Sequence, residues 1–108
     1  MIVTVFRTRL DPQAAEEYGV MAKRMSELAR NVPGYVSHKA YVADDGERVT
    51  IVEFESQDAL RIWKTNTEHV EAKRLGLSKF FSSFRYQICD VLHSRSWERA
   101  SSRKAQSR

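Results

Sequence analysis

The chain has 108 residues, 42% of them apolar and 30% charged, with four Gly, two Pro, one Cys and a formal net charge of +4. That composition describes one compact domain and excludes collagen-like, low-complexity and disulfide-built chains. No apolar run approaches the roughly 20 residues of a membrane span, and Arg7 and Arg9 interrupt the N-terminal apolar stretch before it can act as a signal-peptide core, so the expected location is cytoplasmic, away from membranes.

The charge is unevenly placed. Residues 1–93 carry 13 Lys and Arg against 13 Asp and Glu, so the excess lies wholly in the closing segment SRSWERASSRKAQSR. The expected division is a neutral domain over residues 1–93 and a basic, flexible tail over residues 94–108. A neutral body offers phosphate no net field. No specific nucleic-acid partner is therefore expected, and any such contact belongs to the tail.

In chain order, Ile2 to Arg9 is rich in Val, Thr and Phe and predicts a first strand. Asp11 caps and Pro12 opens a helix carrying Ala14, Tyr18, Met21, Ala22, Met25, Leu28 and Ala29 at helical spacing, which Pro33 and Gly34 end. Tyr35 to Val42 and Arg48 to Glu55 are β-rich and flank Asp45-Gly46, so they pair as an antiparallel hairpin. Ser56 caps a short helix with Ala59, Leu60 and Trp63, and Thr65 with Glu68 fits a capping box that restarts the helix as far as Gly76. Phe80 and Phe81 fall in a turn, and Phe84 to His93 forms the closing strand. The order β, α, β, β, α, β is that of an α+β, ferredoxin-like fold with an antiparallel sheet.

With two helical regions on one face, the other face of a lone sheet should be polar. It is not: Val3 and Val5 oppose Ile2 and Phe6, Val49 and Ile51 oppose Val52 and Phe54, and Cys89 and Val91 oppose Phe84, Tyr86 and Ile88. Two apolar faces imply a homodimer joined through its sheets.

The run from Ala59 through Trp63, Asn66, Thr67, Glu68 and His69 to Lys73, followed by Gly76, Phe81 and Tyr86-Gln87-Ile88-Cys89, resembles the antibiotic biosynthesis monooxygenase superfamily, as does Pro33-Gly34-Tyr35. The resemblance spans about residues 2–93 and implies a dimeric α+β barrel with an apolar pocket between helices and sheet. It also implies oxygenation of a small phenolic or polyketide-like aromatic without metal, flavin or haem. An electron-rich phenolate can itself reduce dioxygen, so the protein need only deprotonate it, keep it dry and stabilise the anion. Asn66 and Thr67 depart from the family's His-Pro, while His69 matches its second histidine. Lys73 stands where haem-degrading relatives place a ligand histidine, which removes that chemistry.

Each candidate has two readings. Trp63 is either core or a wall against a planar substrate. His69 is either an exposed helix residue or, with an ordinary pKa near 6.5, a general base, and His38 is the second candidate for that role. Arg85 either lies on a rim or steadies a phenolate or superoxide. Tyr18, Tyr35 and Tyr86 are core aromatics or substrate contacts, and Phe81 belongs to the same aromatic set. Cys89 reads as a buried inert thiol. No His-x-His, Cys-x-x-Cys or glycine-rich phosphate loop occurs, so no metal or cofactor is expected. Three readings remain: a cofactor-independent monooxygenase, a non-catalytic dimer that binds a small apolar ligand in the same pocket, or an interaction module that uses the basic tail.

Overall fold

The computed structural model describes residues 1–99, so most of the basic tail lies outside the described residues. The chain runs β1 (Ile2–Leu10), a 3-10 turn (Pro12–Ala14), α1 (Ala15–Arg30), β2 (Tyr35–Val42), β3 (Arg48–Phe54), α2 (Gln57–Thr65), α3 (Thr67–Leu75), a π-helical turn (Gly76–Phe80) and β4 (Phe81–Asp90). The strands form one antiparallel sheet in the order β2-β3-β1-β4, with the helices packed on one face, the α+β ferredoxin-like arrangement. Among the described residues no helix is long and apolar enough to cross a membrane.

Local chemistry explains most boundaries. The Asp11 side chain accepts from the Gln13 amide at 3.0 Å and Pro12 follows it, fixing the entry to α1. Gly34, at φ +88°, makes the turn into β2, where a Cβ would stand 2.7 Å from that of Ala59. The Ser56 hydroxyl accepts from the Ala59 amide at 3.2 Å and starts α2.

Two boundaries differ from the sequence expectation. The cap of α3 is Asn66, not Thr65: Asn66 Oδ1 accepts from the His69 amide at 3.1 Å, while the Thr65 hydroxyl donates to the Arg61 carbonyl at 2.9 Å inside α2. Glu68 reaches Arg24 on α1 instead of closing a capping box. Asn caps at least as well as Thr, so α2 keeps one more residue and the break moves on by one. The closing strand is Phe81–Asp90, not Phe84 to His93, because the π-helical turn ends at Phe80, whose carbonyl accepts from the Asp11 amide at 2.8 Å.

The core lies between α1, α2 and the sheet: Ile2, Ala29, Val32, Val52, Phe54, Ala59, Leu60 and Trp63 form one buried cluster. The far face of the sheet carries Val3, Val5, Val49 and Ile51 at its centre, with Arg7, Lys39, Glu53, Arg85 and Gln87 around them. Cys89 is exposed on that face, because alternation along β4 gives the helix side to Ile88.

Candidate active site

Strand register sets the floor of the site. Residues directly opposite one another across neighbouring strands share a face, which orders the helix side of the sheet into three rows. Ile88, Thr4, Val52 and His38 form the first row, Tyr86, Phe6, Thr50 and Ala40 the second, and Phe84, Thr8, Arg48 and Val42 the third. Two-residue steps along a strand put the first and third rows about 13 Å apart. Above the floor, α1 supplies Tyr18, Met21, Ala22 and Met25, and α2 and α3 supply Trp63, Lys64, His69, Ala72 and Lys73. Leu77, Phe80 and Phe81 complete a cavity of about 280 Å³, near the lower end of small-molecule sites.

At the first-row end, Trp63 packs in one cluster with Val52, and the His69 ring stacks on it with centroids 4.0 Å apart and planes 15° from parallel. His69 Nδ1 lies 3.0 Å from the Trp63 carbonyl oxygen. That oxygen can only accept, so Nδ1 carries the proton and Nε2 keeps its lone pair. Burial pushes the imidazole pKa down from 6.5 to about 4; the hydrogen bond to the Trp63 carbonyl opposes this and the nearby Lys73 adds to it. His69 is therefore a neutral acceptor across the physiological range. His38 is also held below its ordinary value by burial and by Arg30, and its Nδ1 lies 3.5 Å from the Ser26 hydroxyl.

The third-row end is built around Arg48. Its guanidinium sits over the Tyr18 ring, 5.6 Å from the centroid, and Tyr18 packs edge-on against Phe80 and Phe81 at 5.8 and 5.5 Å. Between the two ends, Phe6 touches Phe81, Phe84 and Tyr86. Burial raises the Tyr18 hydroxyl pKa against the pull of Arg48, and burial raises that of Tyr86, so both phenols remain donors. Gly76 gives Phe81 its room: a Cβ there would stand 2.4 Å from the ring. Among the described residues, Arg48, Lys64 and Lys73 line the cavity, whereas no Asp or Glu does.

Of the residues singled out from the sequence, His69, His38, Trp63, Tyr18, Phe81 and Tyr86 line this cavity. Two do not. Arg85 stands between Phe84 and Tyr86 and opposite Arg7, so strand alternation turns it to the far face, away from any substrate in the cavity. Tyr35 packs against the buried core cluster instead. A bulge between Tyr35 and Ser37 inserts one residue, which lets Tyr35 and His38 share the helix side although they are three positions apart.

Sequence reasoning passes over Arg48, Lys64 and Phe6, and treats Lys73 only as a departure from a ligand position. Arg48 did carry a signal, since it is in phase with Thr50, Val52 and Phe54 and is the one charge on the buried phase of that strand. Lys64 and Lys73 gave none, because lysines on short helices ordinarily face water. Among the described residues no group of three or more His, Cys, Asp or Glu could hold a metal ion.

A sheet with its helices on one side and an aromatic cavity between the layers places the chain in the α+β, ferredoxin-like class. The sequence model of the antibiotic biosynthesis monooxygenases matches residues 1–75, and the chain belongs to that family. The uncharacterized protein YqjZ of Bacillus subtilis strain 168 is 34% identical over 74 residues, which span 68% of this chain and 65% of that protein. Rv0793 of Mycobacterium tuberculosis shares the fold with a TM-score of 0.78 at 18% identity, over 88% of this chain and 98% of its own. SnoaB, a cofactor-independent oxygenase of Streptomyces nogalater, does so with a TM-score of 0.74 at 17% identity, over 86% and 94%.

Proposed function

We propose that the protein is a cofactor-independent monooxygenase acting on a small phenolic or polyketide-like aromatic. The observation that carries this reading is His69, whose Nδ1 is tied to the Trp63 carbonyl so that Nε2 is an acceptor in an aromatic cavity whose described lining includes Arg48, Lys64 and Lys73 and no carboxylate. A phenol beside Nε2 donates to it and passes its proton there as the phenolate forms, and the charge of Lys73 favours that anion. For an anthrone, the enolate gives one electron to dioxygen, the radical and superoxide combine to a hydroperoxide, and loss of water leaves the quinone. One dioxygen is consumed, and one water is released per methylene oxidised to carbonyl. Trp63 supports this chemistry as the rigid wall on which His69 stacks.

Incubating the purified protein with an anthrone in air, with chelator present, should give the quinone at a rate proportional to protein. No rate above the protein-free control would remove the enzymatic reading. A second reading, a non-catalytic binder of a small apolar ligand, draws on one observation: a histidine held near pKa 4 is a weak base toward a phenol. A ligand that raises the melting temperature without being oxidised would favour it.

Association through the far face of the sheet belongs to the same proposal, since Val3, Val5, Val49 and Ile51 stand there apart from the core. Sedimentation at micromolar concentration should give the mass of two chains. Val5→Asp should give the mass of one with the circular dichroism of the wild type, because its side chain points away from the helices; a wild type that sediments as one chain would remove the dimer.

A further inference from the structure

We propose that the ligand of this cavity carries a carboxylate at the end remote from its phenol, held by the Arg48 guanidinium while the phenol lies at His69. This rests on the aromatic-site reading above and adds a charge to it.

Three observations support it. First, Arg48 is on the helix-facing phase of β3, in the third row of the cavity floor, with its guanidinium packed over the face of Tyr18. The guanidinium also lies near enough to the Tyr18 hydroxyl to hydrogen-bond it, which engages part of its planar fork and leaves further N–H donors for a ligand. Second, the carboxylates nearest it in sequence are already engaged: Glu47 is held by Arg7 at 3.0 Å and Asp45 by Arg9 at 2.7 Å, both from strand positions of the opposite phase. Among the described residues no carboxylate lies within ion-pair distance of Arg48. Third, among the described residues no acid lines the cavity, so none of them repels an incoming anion.

A half-buried guanidinium without a carboxylate partner, packed against aromatic side chains, is suited to receive an anion, because its charge is little screened there. One guanidinium supplies one charge in a fork that fits a carboxylate with two parallel hydrogen bonds, which makes a monoanion the better match than a phosphate dianion. The two groups are supplied by different parts of the cavity: His69 is stacked on Trp63, which shares the buried cluster with Val52 of the first row, while Arg48 stands in the third row beside Tyr18.

The test compares two anthraquinones of one scaffold, rhein, which bears a carboxylate, and aloe-emodin, which bears a hydroxymethyl group in its place. Binding to the full chain is measured by calorimetry near neutral pH, so the result does not depend on turnover. Rhein should bind about tenfold tighter or more, as expected for hydrogen bonds to a charged partner, and Arg48→Met should abolish the difference. Arg48→Lys, which keeps the charge and loses the fork, should retain only part of the preference and guards against a Met variant that fails to fold. Equal affinities for the two ligands in the wild type would overturn the carboxylate site and leave the aromatic cavity standing. A preference lost in Lys73→Met but kept in Arg48→Met would overturn the assignment to Arg48. Binding of neither ligand would overturn both this proposal and the aromatic-site reading.

Discussion

His69→Ala should lower turnover of an oxidisable phenolic substrate by about 10²- to 10⁴-fold, the usual contribution of a positioned proton acceptor. His69→Phe is the informative companion, since it can keep a ring stacked on Trp63 but has no nitrogen; it should lose as much turnover as alanine while keeping more of the fold. The wild type should also show an unusual acid limb. With the imidazole held at about 4 by burial, turnover should stay level from neutral pH to about pH 5 and fall only toward pH 4, rather than through the ordinary histidine value near 6.5. Stability has the same origin and a different window. The unfolded chain binds a proton at His69 below about pH 6.5 and the folded chain does not until about pH 4, so stability falls as pH falls between those values and this group adds nothing further below them. His38, also depressed by burial, adds a loss of the same sign. Urea midpoints for the wild type and His69→Phe at pH 7 and 5 check this: the wild type should lose more between the two.

Trp63→Ala should cost the fold about 3 to 5 kcal/mol, because the side chain is buried in one cluster with Ile2, Val52, Phe54 and Leu60. For a domain of this size that is a large share of its total stability, so part of the population should be unfolded at 37 °C. The folded fraction should also bind aromatics weakly, since the ring that orders His69 has gone. Denaturant unfolding gives the first effect, and titration at a temperature where the variant is folded gives the second. Trp63→Phe should restore most of the stability. A Trp63→Ala variant with wild-type midpoint and wild-type affinity would contradict both the packing and the site as described.

How much of this was legible in the sequence follows from which forces act locally. The element order was readable because strand and helix periods, Asp11-Pro12, Pro33-Gly34 and Asp45-Gly46 are local signals. The start of β4 was not, because Ser82 and Ser83 look like loop residues and their pairing with β1 is a long-range event. Arg85 could have been placed correctly from alternation with Phe84 and Tyr86. The phase of His38 could not, since the bulge beyond Tyr35 contains no glycine or proline to announce it. His69 was nameable, but its tautomer and its depressed pKa depend on the Trp63 carbonyl and on burial, neither of which has a signature in the chain.

Gly76 ends α3 and is overlain by the Phe81 ring. The residue at which α3 passes into the π-helical turn is thereby also a gauge of the cavity's width. Any side chain at that position must displace Phe81, which is wedged against Phe6 and Tyr18, and the displaced ring has the open interior to move into. The size of the cavity is thus written in a backbone position that is not among its described lining residues. A side chain added there could only narrow the cavity, and would do so without touching the histidine, the tryptophan or the arginine.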